Sequence, residues 1–128
     1  MSTPLTESIT QDHDKMVQTV VRLLEKSQFF EIRAKFLHSP FSEPAPYLGH
    51  QPDITAHDSH DRFYMIDIVM NDKIGTPEAA SRWDAFAKHA KLHHAHFWIM
   101  TAKGSEEKIK NLIKKQKLLD AVKLIKGI

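Results

Sequence analysis

The chain has 128 residues, 41% hydrophobic and 27% charged, with a formal net charge of +2, which suits one domain with its own core. Its lack of cysteine excludes disulfides and thiolate metal sites, so any bound metal would sit on carboxylate or imidazole. No stretch approaches the roughly 18 apolar residues of a membrane span. MSTPLTESIT, at the start, lacks the basic and apolar regions of a secretion signal, so a cytoplasmic chain with no membrane partner is expected.

In chain order, His13, Met16, Val17, Val20, Val21 and Leu24 recur at helical spacing and predict a helix from about Thr6 to Gln28, capped at Thr6 or Ser8. FFEIRAKFL, Phe29 to Leu37, alternates as a half-exposed strand. Phe30, Ile32, Ala34 and Phe36 fall on one side, and Glu31, Arg33 and Lys35 on the other. The connection His38 to Gln51 holds Pro40, Pro44 and Pro46 and reads as a surface excursion that packs Phe41 and Tyr47. PDITAH forms a short strand, with Pro52 tolerated at its first position, and DSHD turns the chain. Arg62 to Met70 then runs apolar on both faces, as a central strand covered on both sides does.

Thr76 and Pro77 supply a cap and a first-turn proline for a helix over Pro77 to His93 that buries Ala79, Trp83, Phe86, Ala87 and Ala90. Ala95 to Ala102 is a second strongly apolar strand. Ser105, Glu106 and Glu107 open a last helix, with Ile109, Leu112, Ile113 and Gln116 on its inner side. The end, LLDAVKLIKGI, fits helix and strand equally. A helix between two buried strands implies a parallel crossover, whereas the tight DSHD link implies an antiparallel hairpin. The expected fold is a single α/β domain over residues 1–128, a mixed sheet with helices on both faces.

Asp67 is the one ionisable residue inside the apolar run Phe63–Met70. Buried without a partner it would cost several kcal/mol or take up a proton. It therefore requires a metal, a cationic side chain or a backbone donor. With Pro52-Asp53 opening the preceding strand, this order of elements resembles the PD-(D/E)xK nuclease superfamily, especially archaeal Holliday-junction resolvases and restriction-endonuclease-like proteins. The likeness runs from about Thr6 to Thr101. It implies a restriction-endonuclease-like α-β-β-β-α-β core followed by a C-terminal helix. It also implies Asp53 and Asp67 as paired metal carboxylates, the Ile68 carbonyl completing the site, and Mg or Mn as the cofactor for phosphodiester hydrolysis.

The family's lysine, two residues after the second acid, is replaced by Val69, which can neither orient water nor offset charge. Arg82, beside Trp83, is the candidate substitute. Lys73 is six positions on in a loop, and Lys88 and Lys91 fall on the opposite face of the helix. The acidic residue that the first helix contributes in relatives would fall near Val17 or Gln18, with Asp14 and Glu25 a turn or more away. The resemblance thus leaves two functions open: a metal-dependent nuclease with a displaced base, or a silent relative that binds nucleic acid or protein. An unrelated α/β domain with two structural aspartates is the third reading, and a homodimer fits any of them.

Other features carry less. Residues Lys103 to Ile128 hold eight lysines against three acids, a charge of +5, which leaves −3 for the rest. Such a segment suits either phosphates or a solvated helix face. Of nine histidines, His89 and His93 stand four apart as zinc pairs do, but without the glutamate of HExxH. His50, His57 and His60 lie nearer the aspartates. Trp83 and Trp98 read as core. Tyr47 and Phe41 remain candidates for base stacking. No phosphate-cradling or dinucleotide glycine motif occurs.

Overall fold

A computed structural model describes the backbone of residues 5–128 and the side chains of residues 12–128. The elements are α1 (Leu5–Lys26), β1 (Phe30–Ala34), β2 (Ile54–His57), β3 (Phe63–Val69), α2 (Pro77–His93), β4 (His96–Thr101), α3 (Glu106–Lys115) and β5 (Val122–Gly127), with a 3-10 turn at Asn71–Lys73. The five strands form one mixed sheet in the order β1-β2-β3-β4-β5. The first two pairings are antiparallel, and β3–β4 and β4–β5 are parallel. The helix–three strands–helix–strand core and the helix after it are as expected. The ambiguous end forms an edge strand. The proposed caps Thr6 and Ser8 lie outside the described side chains.

Each face of the sheet has its own core. α1 buries Val17, Val20, Val21 and Leu24 against Ala34, Ile54, Ala56, Ile66 and Ile68. Each valine, leucine and isoleucine among them contributes roughly 1.5–3 kcal/mol by leaving water, and each alanine less. On the opposite face α2 and α3 cover Met65, Val69, Phe97 and Ile99 with Trp83, Phe86, Ile109 and Ile113. The alternation of β3 therefore sends Phe63, Met65, Asp67 and Val69 toward α2, and Ile66 and Ile68 toward α1. The Thr76 hydroxyl accepts from the Ala79 N–H at 3.2 Å, Pro77 opens α2, and His94 ends it with φ 53°.

Two departures have local causes. β1 is shorter than Phe29–Leu37 and carries a bulge: Phe30 faces His57 and Arg33 faces Thr55, so two residues of β1 oppose Ala56 alone. Glu31 absorbs the extra residue with φ 50°. The bulge turns Phe30 away from Ile32, Ala34 and Phe36 and onto the ring of His57. The proline-rich connection is ordered by a tight turn at Leu48-Gly49, both left-handed, which pairs Tyr47 with His50. It packs Phe41 on the α1 side and Tyr47 on the α2 side. Among the described residues, no helix is long and apolar enough to cross a membrane.

Candidate functional site

The hairpin register brings the two aspartates together. Ile54 pairs with Ile66, so Asp53 falls opposite Asp67, just beyond the end of β2 where the strands part. The unpaired end of the ladder is satisfied by a side chain: the Ile68 N–H donates to Asp53 Oδ2 at 2.7 Å. Asp67 lies under α2 and is 2% exposed. Both its oxygens are occupied. Arg82 Nη2 donates to Oδ1 at 2.6 Å, and Trp83 Nε1 donates to Oδ2 at 3.1 Å.

Arg82 holds the site together from α2. The same Nη2 donates to the Gln51 carbonyl at 2.9 Å and stands 3.9 Å from Asp53 Oδ2. Its guanidinium lies 5.2 Å from the centre of the Phe86 ring, one helical turn on. Burial disfavours the guanidinium charge, but the Asp67 and Asp53 carboxylates more than offset this and raise its pKa. Asp67 is pushed up to about 7, first by burial and then by the charge of Asp53, with Arg82 pulling the other way.

The fourth participant comes from α1. His13 Nε2 sits 3.1 Å from Asp53 Oδ1, and Nδ1 sits 3.6 Å from Asp14 Oδ1. The hydrogen bond to Asp53 is the main reason the His13 pKa is raised to about 9, so the imidazole is cationic at neutral pH. Asp14 also accepts from the Leu37 N–H at 3.1 Å, tying α1 to the chain after β1. Val17 is buried in the core and Gln18 is half-buried, so the polar contribution of this helix lies a turn earlier, at His13 and Asp14.

These groups open onto a cavity of about 260 Å³ whose wall includes His13, Asp53, Arg82, Lys73 and Glu78. The 3-10 turn after β3 folds the chain back, so Lys73 joins the aspartates despite its distance in sequence. Val69 is buried in the α2 face. The cavity lies at the carboxyl end of β3, a usual place for a site in an open α/β sheet.

The donor set does not fit a divalent cation in this arrangement. Both oxygens of Asp67 are held by protein donors, and those of Asp53 face the Ile68 N–H and His13. The Arg82 guanidinium fills the place between the acids. Among the described residues no three His, Asp or Glu side chains converge as metal ligands. This includes His89 and His93, whose rings pack 4.3 Å apart, with Tyr47 against His89 at 4.0 Å. His50 is engaged with Ser81 at 3.0 Å, while His60 lies exposed in the hairpin turn.

No family model, no curated protein and no solved structure matches the chain. The functional reading therefore rests on the residues and their geometry. Helical spacing places His13 only in an apolar stripe and Trp83 only in the core, without their polar partners, whereas Lys73 requires the chain to fold back after β3, as it does. Trp83 is indeed buried, but its one polar atom serves Asp67.

Proposed function

We propose that the chain is a nucleic-acid-binding domain of PD-(D/E)xK descent that has exchanged its metal for an arginine and no longer cuts. The observation that carries this reading is the Arg82 guanidinium, 2.6 Å from Asp67 and 3.9 Å from Asp53. A fixed cation there supplies the neutralisation that two opposed carboxylates need. It supplies no bound water to attack phosphorus. Support for the ancestry comes from the order of elements, from Pro52-Asp53 at the hairpin end, and from Asp67 opposite it. The lysine-rich α3–β5 segment, with Lys108, Lys114, Lys115, Lys123 and Lys126 exposed, provides a surface for a phosphate backbone.

Lys73 favours one further reading. Its place in the same cavity as Asp53 would let it serve as the missing lysine if Arg82 withdrew and Mg or Mn took the carboxylates. The two readings separate in one experiment. Labelled duplex, single-stranded and four-way-junction DNA are incubated with the protein in EDTA and in Mn²⁺. The silent binder gives salt-sensitive binding, unchanged by Mn²⁺, and intact DNA. Cutting in Mn²⁺ that is lost in Asp53→Ala would establish the nuclease instead. Absence of binding in every condition, with RNA included, would remove both.

A further inference from the structure

A second cavity lies further along β2, on the α2 side of the sheet but beyond the helix itself. It measures about 610 Å³ and is lined by Glu31, Arg33, Tyr47, Thr55, His57 and Phe63 among others. Flat rings form much of its wall. His57 and Phe63 lie 5.2 Å apart between centroids, and Tyr47 meets Phe63 edge-on at 6.4 Å; Phe30, outside the lining, stacks on His57 at 5.6 Å. Phe30 is 42% exposed, a large ring presented to solvent by the bulge in β1.

Polar groups at this cavity are incompletely matched. The His57 Nδ1 atom is inaccessible to solvent and makes no hydrogen bond. Glu31 Oε2 comes within 3.2 Å of it, but not along a hydrogen-bonding direction. Glu31 also holds the left-handed backbone of the bulge, a conformation that is uncommon for a residue with a side chain. The left-handed bulge residue thus holds its carboxylate against His57 at one wall, while Arg33 adds a cation with a planar face.

We propose that this cavity is a nucleobase subsite that receives one unpaired base of a bound strand; the proposal rests on the nucleic-acid reading above and adds where a base is held. Aromatic walls stack on any base, and the Arg33 guanidinium suits either the base face or the adjoining phosphate. The Glu31 carboxylate offers an acceptor to a base edge, and the His57 ring adds a face for stacking. An aliphatic side chain of a peptide would leave Glu31 and Arg33 without partners, which disfavours it as the occupant. Asp53 and His57 are four residues apart, about 13 Å along extended chain, so one strand can span both cavities.

The test is fluorescence anisotropy with a labelled single-stranded oligonucleotide and an abasic strand of the same length and charge. Stacking predicts roughly 5- to 100-fold tighter binding of the intact strand. Tyr47→Ala and His57→Leu, with folding checked by circular dichroism, should remove that preference and leave binding of the abasic strand unchanged. Equal affinity for the two strands, or a preference that survives both substitutions, would overturn the subsite while leaving nucleic-acid binding in place. Failure of either strand to bind would overturn the subsite and the broader reading together.

Discussion

Arg82 joins α2 to β3 through Asp67, with Nη2 2.6 Å from a carboxylate that is almost wholly buried. This contact, with the Trp83 Nε1 donation to the same carboxylate, links two elements that meet mainly through apolar side chains. Removing one partner strands the other charge. Arg82→Ala should therefore cost about 3–5 kcal/mol in urea unfolding. The combined Arg82→Met, Asp67→Leu variant, which removes both charges at similar volume, should recover most of that loss. A double variant no more stable than Arg82→Ala would mean that the pair matters through something other than its charge.

Stability should fall as the pH rises above neutral. His13 has a folded pKa raised to about 9, against about 6.5 when unfolded. Its contribution is complete below about 6.5 and is lost as the pH rises through 9, because the folded state holds the extra proton. Asp67 acts in the same sense at lower pH. Its contribution is full below its unfolded value and lost as the pH rises through about 7. Between pH 7 and 9.5 the His13 share is about 2 kcal/mol after allowance for its partial exposure. His13→Gln should flatten the urea midpoint over that range, and an unchanged slope would remove His13 as its source.

The hairpin turn has the opposite pH dependence. Asp58 Oδ1 accepts from the N–H groups of His60 and Arg62, and Oδ2 from Arg62 Nε at 2.6 Å and the Tyr64 hydroxyl at 2.8 Å. Burial opposes ionisation, but these donors hold its carboxyl well below the usual range. The stability they confer is present above the ordinary carboxylate pKa and is lost as the pH falls below it. Asp58→Ala should lower the melting temperature at pH 7 by several degrees more than Asp61→Ala, whose side chain is exposed. The difference between the two variants should shrink toward pH 2.

The lysines of α3 can be counted on DNA. If Lys108, Lys114 and Lys115 meet phosphates, replacing each with Gln should reduce the log–log salt slope of duplex binding by about 0.9 per contact. Affinity would fall uniformly across sequences. An unchanged slope in the triple variant would assign these lysines to solvation alone.

Much of the fold was legible where a local rule and a global one agreed. Thr76-Pro77 and the apolar spacing to Ala90 bound α2, and the double-sided run of Phe63 to Val69 marked a central strand. Asp53 and Asp67 could be paired because a short antiparallel turn fixes register. The bulge at Glu31 could not be read, since nothing in FFEIRAKFL requires a left-handed residue. His13 was missed for a different reason: helical spacing gives its face but not what lies across the sheet. The strand character of Val122–Gly127 depends on parallel pairing with β4, a long-range choice that its own composition leaves open.

The register of β2 on β3 also has a consequence for the order of assembly. That hairpin closes locally around Asp58, whereas Arg82 arrives only when α2 docks. Until then Asp53 and Asp67 repel each other at the open end of the ladder, so the early hairpin should fray there and remain tight at its turn. Docking of α2 would close it from the far end. In kinetic φ-value terms, substitutions at Asp58 should act on the folding rate and substitutions at Arg82 on the unfolding rate. The same guanidinium that neutralises the acids would then be a late latch in folding, set after the chain's most local contacts have formed.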